Sequence, residues 1–244
     1  MLSSSVENYT QRLVRGCSIS MGMTAGDEQC AAGWRAAEIE EELPGLRLLV
    51  GEARHARRQP LTGGSPPEIS GRLRELSNRF RGARAVGVRR EPVPAAYRVF
   101  FRQIGLDPDV VRTPIEAAVM ERMLSGCFLT SSLLADVLLI SLLDTCVPVW
   151  ALDSRLLDGP LGIRVSSEGE PLGRSVQAPS LPAGRLVVAD SSAALAVLFG
   201  ELAPGHEARG ETACVTLFAV QVDGVPTLYI EESLWACRAA LEQP

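Results

Sequence analysis

The segment SSLLADVLLISLLDTCVPVWALD, residues 131–153, contains the change of pattern that decides the fold class. Its first part, residues 131–143, is apolar on nearly every side, which predicts a helix enclosed by protein. Asp144 and Thr145 end that helix, and residues 147–151 continue as a short apolar strand. Helical patterns dominate before this point and strands after it, without a steady alternation of the two. The sequence therefore predicts an α+β domain rather than a doubly wound parallel sheet.

Upstream of this segment, the spacing of apolar residues predicts one strand and two helices. Residues 46–50, Leu-Arg-Leu-Leu-Val, form the strand, which Gly51 closes. Residues 68–84 carry an apolar residue at every third or fourth position, with arginines between them, and this is helical spacing. Residues 90–94 break the pattern, and residues 95–104 form the next helix.

A third upstream helix has the clearest start signal in the chain. Thr113 is a good N-cap, Pro114 suits the first helical turn, and Glu116 follows three residues after the cap. Together they form a capping box, in which the hydroxyl and the carboxylate each satisfy a backbone N–H that the first turn leaves unpaired. Glu116 resembles a catalytic acid, but the capping role is the explanation that we favour.

Downstream of the segment, the residues predict short strands and one final helix. The strands lie at residues 162–165, 185–189, 215–222 and 227–230. Asp223-Gly224 separates the last two and is a hairpin turn signal. The final helix, residues 231–241, is expected to pack through apolar residues that include Trp235.

Composition restricts the class of protein. Hydrophobic residues make up 46% and charged residues 22%, as in ordinary globular domains. No apolar run reaches the length of about 18 residues that a membrane span needs, so we expect no membrane association. Residues 1–26 lack the features of a secretory signal, and we expect a cytoplasmic protein with a flexible tail at 1–33 and one domain at 34–244. Six cysteines without a CxxC pair and two histidines predict reduced thiols, no metal site and no cofactor.

Positive charge is concentrated in one part of the chain. All 24 basic residues are arginine, and the net charge is −5. Residues 52–122 hold fourteen arginines and eight acidic residues, a net charge of +6, which leaves −11 for the rest. This asymmetry indicates a phosphate-bearing partner on one side, although solvated helix faces are the commoner cause of such a pattern.

Catalytic signatures are weak. The common nucleotide-binding, zinc-protease and serine-hydrolase motifs are absent from the sequence. Asp153 follows an apolar strand, Asp190 precedes two serines, and His206 occupies a polar loop, so these three are weak candidates for catalysis. A Ser–His–Asp arrangement that uses His206 is a further alternative, because such triads form in space rather than along the chain.

Several short motifs follow one another between residues 40 and 225. They are Pro-Gly-Leu-Arg at 44–47, Tyr97-Arg98 with Phe101-Arg102, Arg-Thr-Pro-Ile-Glu-Ala at 112–117, Pro-Val-Trp-Ala-Leu-Asp at 148–153, Ile163-Arg164, Gly169-Glu170 and Glu211-Thr212. In this order the chain resembles the B3/B4 domain, the tRNA-binding and editing domain of the phenylalanyl-tRNA synthetase beta subunit, and above all its free-standing members. The resemblance implies a single three-layer α+β domain around a β-sandwich-like core.

In that family the domain hydrolyses tyrosine that is wrongly attached to tRNA. A histidine and a later glutamate recognise the tyrosyl hydroxyl; here Trp150 stands at the position of the histidine, and residues 215–218 offer no glutamate. The resemblance therefore implies an editing-like protein with a rebuilt pocket. It would be a trans-acting hydrolase of mischarged aminoacyl-tRNA with a non-tyrosine specificity, or a non-catalytic RNA or small-ligand binding module. A small-molecule enzyme on the same scaffold is a third alternative.

The resemblance also implies two groups of site residues. The pocket would be lined by Arg112, Glu116, Trp150, Asp153, Arg164 and Glu170. The arginines that would face tRNA phosphates are Arg72, Arg79, Arg84, Arg98 and Arg102. The expected partner is tRNA or aminoacyl-tRNA, and an amino-acid-like small molecule is a possible ligand.

Overall fold

The computed structural model describes residues 30–55 and 59–243. In these ranges the chain forms a mixed fold of helices and several open sheets, as an α+β class requires. The predicted tail lies outside the described residues except for its last four positions. There Ala31 and Ala32 pair with Leu49 and Val50, so the ordered domain begins before residue 34.

The first sheet is built on two long antiparallel strands. Strand β3, Arg47–Arg54, pairs along its whole length with β10, Cys214–Gln221. Strand β1, Ala31–Ala32, lies on the outer side of β3, and β4, Val149–Asp153, lies on the outer side of β10. These two long strands therefore form the centre of the sheet.

The predicted end of the first strand at Gly51 is wrong. Gly51 lies opposite Leu217 in the middle of the β3–β10 pairing, and β3 continues for three more residues. A glycine is usually a weak strand residue, but ladder hydrogen bonds to a full-length partner outweigh that preference.

The second sheet runs beside the first. Its strands, in spatial order, are β2 Trp34–Arg35, β5 Gly162–Val165, β8 Leu186–Ala189 and β9 Ala194–Val197. Only β2 runs parallel to its neighbour. Gly33 alone separates β1 from β2, so the chain passes directly from one sheet to the other. A Cβ at Gly33 would lie 2.7 Å from the carbonyl oxygen of Leu161 and 2.8 Å from the side chain of Leu48, so this crossing requires glycine.

Seven α-helices, two short 3-10 helices (Val88–Arg90 and Ser154–Leu156) and a small strand pair complete the described parts of the chain. The helices are α1 Ala37–Glu42, α2 Pro67–Arg79, α3 Ala83–Gly87, α4 Pro92–Gln103, α5 Pro114–Ser125, α6 Leu133–Thr145 and α7 Thr227–Glu242. Helix α7 packs on β3 and β10, and α6 packs on α7. Strands β6, Glu170–Pro171, and β7, Ser180–Leu181, pair with each other. None of the described helices is long and apolar enough to span a membrane.

Two predicted helices have different ends in the structure. The helix expected at 68–84 ends at Arg79, because Gly82 adopts a φ of 53° and separates α2 from α3. The helix expected at 95–104 begins at Pro92. Proline is tolerated in a first turn because the N–H that it lacks would have no helical partner there.

The predicted capping box is confirmed. Glu116 Oε2 accepts hydrogen bonds from the backbone N–H of Thr113, at 3.3 Å, and from its hydroxyl, at 2.6 Å. Helix α5 then runs to Ser125 and ends at Gly126, whose φ is 80°. Local sequence was sufficient here because all the partners lie within four residues of each other.

The strand predicted at residues 227–230 is wrong. The chain turns at Asp223-Gly224 and then begins α7 directly after Pro226. The Gln221 amide closes the turn by donating to the Val225 carbonyl and to the Thr227 hydroxyl. Thr-Leu-Tyr-Ile has the composition of a strand, but burial of the α7 face against the sheet favours the helix. Trp235, expected to pack inside, is 42% exposed.

We predict that Leu217→Ala, in the centre of β10, lowers the free energy of unfolding by about 2–5 kcal/mol, because it leaves a cavity in a fully buried site. Guanidinium denaturation measures the loss. Val176→Ala is the control, because Val176 is fully exposed and its truncation should change stability by less than about 0.5 kcal/mol. Equal midpoints for the two variants would contradict the central place of the β3–β10 pairing.

Candidate functional site

A buried arginine organises the contact between α4 and the start of α5. Arg98, on α4, is 8% exposed. Its guanidinium donates to Glu116 Oε1 at 2.6 Å and to Asp109 Oδ1 at 2.7 Å. Because both carboxylates are satisfied by this one side chain, Arg98 holds the loop before α5 in place. Its burial removes it from the arginines that could face RNA.

Asp109 lies at the meeting point of several arginines. The hydrogen bond from Arg98 holds the pKa of Asp109 below its ordinary value of 3.8, and the charges of Arg102 and Arg89 act in the same direction. Asp109 therefore remains ionised at neutral pH. Arg89 approaches it only to 3.9 Å, so most of the Arg89 charge is still available to an external anion.

A cavity of about 270 Å³ opens beside this cluster, between α3 and α5. Its lining includes the charged side chains of Arg89, Asp109, Arg112 and Glu116, and the other lining residues are apolar. The apolar lining consists of Ala85, Val86, Val88, Pro108, Val119, Met120 and Met123. Arg112 and Glu116, both predicted as pocket residues, thus meet at one cavity.

Exposed arginines without a carboxylate partner follow one another from α3 to the loop before α5. We call them the α3–α4 arginine surface, and they are Arg81, Arg84, Arg90, Arg102 and Arg112. Among the described residues, none of the five forms an ion pair with a carboxylate. Arg84 instead lies 5.1 Å from the centre of the Phe80 ring, which fixes its position without neutralising it.

Two other arginines predicted to face RNA are already paired within the protein. Arg72 and Arg79, on α2, contact Asp144 at 3.0 and 3.1 Å, and Arg72 also contacts Glu75 at 3.1 Å. Their side chains are still 43% and 38% exposed. They can reach solvent, but Asp144 offsets part of the positive field that they would present to phosphates.

Two of the three weak catalytic candidates, Asp190 and His206, contact Arg174, a residue that no sequence motif indicated. Arg174 donates to the carboxylate of Asp190, and its Nη1 lies 2.8 Å from Nε2 of His206. The backbone N–H of Asp153 donates to the carbonyl of His206 at 3.0 Å. Arg174 has no distinctive local signal, since it simply follows the Gly173 turn. Its partners lie 16 and 32 residues away in sequence, and only the tertiary structure joins them.

All five donor positions of Arg174 are used. Nη1 also donates to the Leu156 carbonyl at 2.6 Å, and Nε and Nη2 both donate to the Ser192 hydroxyl, at 3.0 and 2.7 Å. Nε2 of His206 therefore acts as an acceptor, and its ring proton is on Nδ1, which is buried without a partner among the described residues. In the structure Arg174, and not a serine hydroxyl, contacts Nε2 of His206. The Ser–His–Asp alternative stays a prediction.

The carboxylates of Asp190 and Asp153 are stabilised in the ionised form. Burial raises the pKa of Asp190, but backbone N–H groups of Asp158, Ser192 and Ala193 and the Arg174 guanidinium outweigh it, so the pKa lies below its ordinary value. The Arg155 guanidinium likewise holds the pKa of Asp153 below its ordinary value, and the hydrogen bond from the Thr212 hydroxyl acts in the same direction. Neither group is poised to donate a proton at neutral pH.

The remaining predicted pocket residues lie in two other places. The Arg164 guanidinium forms an ion pair with Glu170 and holds the pKa of that carboxyl below its ordinary value. Trp150 stacks on Phe218, with ring centres 5.6 Å apart and an interplanar angle of 12°, and it meets the edge of Phe199. Among the described residues, no hydrogen bond or ion pair joins the side chains of Arg112, Asp153 and Arg164.

Two of the described cysteines, Cys146 and Cys237, are buried thiols. Burial raises the pKa of Cys146 and of Cys237 to about 12, so both thiols stay protonated and pack as small apolar groups. No group of three or more His, Cys, Asp or Glu residues in the described ranges could hold a metal ion.

Comparison with known proteins adds no assignment. The sequence matches no protein-family model, and no curated protein matches it either. The resemblance to the B3/B4 family therefore rests on the motifs quoted above and stays a prediction.

We predict that Asp190→Asn destabilises the protein by about 2 kcal/mol or more at neutral pH, because buried N–H groups and Arg174 lose an ionised acceptor. The pKa of Asp190 is lower in the folded state than its ordinary 3.8. Its stabilising contribution is therefore present above pH 3.8 and is lost as the pH falls through the folded-state pKa.

Urea titrations of wild type and variant at neutral and acid pH check this. The difference between the two free energies of unfolding should shrink as the pH falls below 3.8. Asp158→Asn is the matched control, since that side chain is exposed and the backbone N–H that contacts Asp190 is retained. A difference that does not depend on pH would show that Asp190 is not ionised in the folded protein.

We also predict that Trp150→His lowers the free energy of unfolding by about 2–4 kcal/mol, because it removes apolar contact and ring stacking at Phe218. Denaturation midpoints measure the change. Trp235→His is the matched control and should have little effect, because Trp235 lies on the exposed side of α7. If the two variants are equally stable, Trp150 does not fill the interior.

Proposed function

We propose that the protein is a tRNA-binding module of the B3/B4 editing-domain type that has kept the fold and lost the editing chemistry. The observation that carries this proposal is the α3–α4 arginine surface. Five exposed guanidinium groups without carboxylate partners lie within a stretch of 32 residues, 81–112, in a chain whose net charge is −5. A polyanion would supply counter-charge to guanidinium groups that form no ion pair among the described residues.

Exposed guanidinium groups that form no ion pair suit a phosphate backbone. Guanidinium groups bind phosphate oxygens through paired N–H donors, and each contact releases a condensed counterion from the nucleic acid. The apolar cavity between α3 and α5 lies beside Arg89 and Arg112, so an unpaired base could enter it while the arginines hold the adjoining phosphates.

The B3/B4 part of the proposal is supported by contacts between motif residues. Arg98 of one motif pairs with Glu116 of the next, and Arg164 pairs with Glu170. The Thr212 hydroxyl donates to Asp153 at 2.7 Å. Residues that the resemblance singled out from separate motifs thus bind one another, which gives them a shared structural role.

Binding without hydrolysis is the form of the proposal that the site chemistry favours. The carboxylate oxygens of Asp153 and Asp190 accept hydrogen bonds from within the protein, and Nε2 of His206 contacts Arg174. Trp150 lies within an aromatic cluster, where the family has its tyrosine-recognising histidine. A trans-acting aminoacyl-tRNA deacylase would need a positioned water near groups that are not already occupied.

We predict that the protein binds tRNA with a dissociation constant that rises steeply with salt, as fluorescence anisotropy between about 50 and 200 mM salt would measure. A triple variant with Arg84, Arg90 and Arg112 changed to Gln should bind more weakly and should reduce the slope of log K against log salt by about one for each arginine. The control is Arg209→Gln, which removes an exposed arginine from another loop.

A deacylation assay with a panel of aminoacylated tRNAs separates the two forms of the proposal. Binding with no release of amino acid supports the non-catalytic module. Binding with hydrolysis overturns the loss of editing but retains the RNA interface. Failure to bind at the lowest salt, or equal binding by the triple variant, overturns the proposed function.

A further inference from the structure

A second cavity differs in character from the one between α3 and α5, because its lining is mainly aliphatic. It occupies about 310 Å³ between α1, the end of α4 and one end of the second sheet. Its apolar side chains are Ile39, Leu43, Ile104, Leu106, Val165, Leu186, Val197 and Leu198. The volume is at the lower end of the range of about 300–1,000 Å³ that small-molecule sites occupy.

The aliphatic lining is left partly open to solvent. Ile39 and Leu198 are buried, whereas the other six apolar side chains are half-buried and point to a common space. Apolar residues scattered singly over a surface need no explanation, but a group of six around one cavity marks a place that favours an apolar occupant. The lining contains no aromatic ring, so the shape and chemistry suit a short aliphatic group.

Charges of opposite sign stand at the rim. Arg185 precedes β8, and Glu42 is the last residue of α1. Both side chains are exposed, and neither has an ion-pair partner among the described residues. Gln103 lies at the rim as well, where α4 ends at Ile104. The negative end of the α4 dipole adds to the charge of Glu42 and favours a cation on that side.

We propose that this cavity binds a small zwitterion with an aliphatic side chain, which is the chemistry of a free aliphatic α-amino acid or its close analogues. Arg185 would receive the carboxylate through paired N–H donors, Glu42 would receive the ammonium group, and the aliphatic lining would enclose the side chain. The site uses none of the residues of the arginine surface, so it does not depend on RNA binding.

Isothermal titration calorimetry of the full chain with leucine tests the proposal. Leucine should bind, whereas isovalerate, which lacks the ammonium group, and isoamylamine, which lacks the carboxylate, should each bind at least about tenfold more weakly, because each loses one charge-assisted contact. Glycine should also bind more weakly, because it has no side chain to fill the aliphatic cavity.

Three single variants locate the site. Arg185→Gln and Glu42→Gln should each weaken leucine binding by about tenfold or more. Glu41→Gln is the matched control, since Glu41 is an exposed neighbour on α1 that does not line the cavity, and its affinity for leucine should be unchanged. Circular dichroism and thermal unfolding confirm that the variants are folded, as expected for substitutions at exposed positions.

The outcomes distinguish this inference from the proposed function. Leucine binding that Arg185→Gln and Glu42→Gln weaken supports the cavity, whether or not tRNA binds. No heat with millimolar leucine, or the same affinity in all three variants, overturns it, even if tRNA binds as proposed. Equal affinity for leucine and isovalerate would contradict the role assigned to Glu42.

Discussion

The antiparallel pairing of β3 with β10 is the interaction on which the rest of the molecule depends. It runs over eight residue pairs and supplies an edge to β1 on one side and to β4 on the other. Helix α7 covers one face. The hydroxyl of Tyr97 joins α4 to the sheet by donating to the Val220 carbonyl at 2.8 Å. A buried hydroxyl bonded to a strand carbonyl fixes both the position and the rotation of the helix that carries it.

The arginines of this lysine-free chain differ in whether they have partners within the protein. Arg98 and Arg174 each use their planar set of donors to tie several loops together, and Arg122 donates twice to the carbonyl of Ser77. A single ammonium group would not satisfy so many acceptors in fixed directions. The arginines of the α3–α4 surface form no ion pairs among the described residues, and the proposed RNA interface rests on that observation.

The two cavities have complementary characters. The cavity between α3 and α5 is bordered by Arg89 and by Arg112, and Arg112 is a member of the α3–α4 arginine surface. The one at the end of the second sheet has one charge of each sign at its rim and an aliphatic interior. The Arg174 cluster and the aromatic contacts of Trp150 include the residues where catalysis or tyrosine recognition was expected. Internal hydrogen bonds and ring packing engage those groups within the protein.

The sequence alone determined the features whose partners are close together along the chain. The capping box of α5 and the strand Gly162–Val165 lie where they were predicted, and so does the change from helices to strands after α6. These signals are periodicity and N-cap chemistry, and both act over a few residues.

Only the tertiary structure decided the rest. It extended β3 through Gly51, made residues 227–230 part of a helix, buried Arg98, and brought Arg174 to His206 across 32 residues. In each case the deciding free energy comes from a partner outside the local segment: a full-length strand, a sheet face, or the charged groups that Arg98 and Arg174 contact. The local pattern indicates which residues are stabilised by burial or by a hydrogen bond. It does not indicate which distant group covers them or supplies the hydrogen-bond partner.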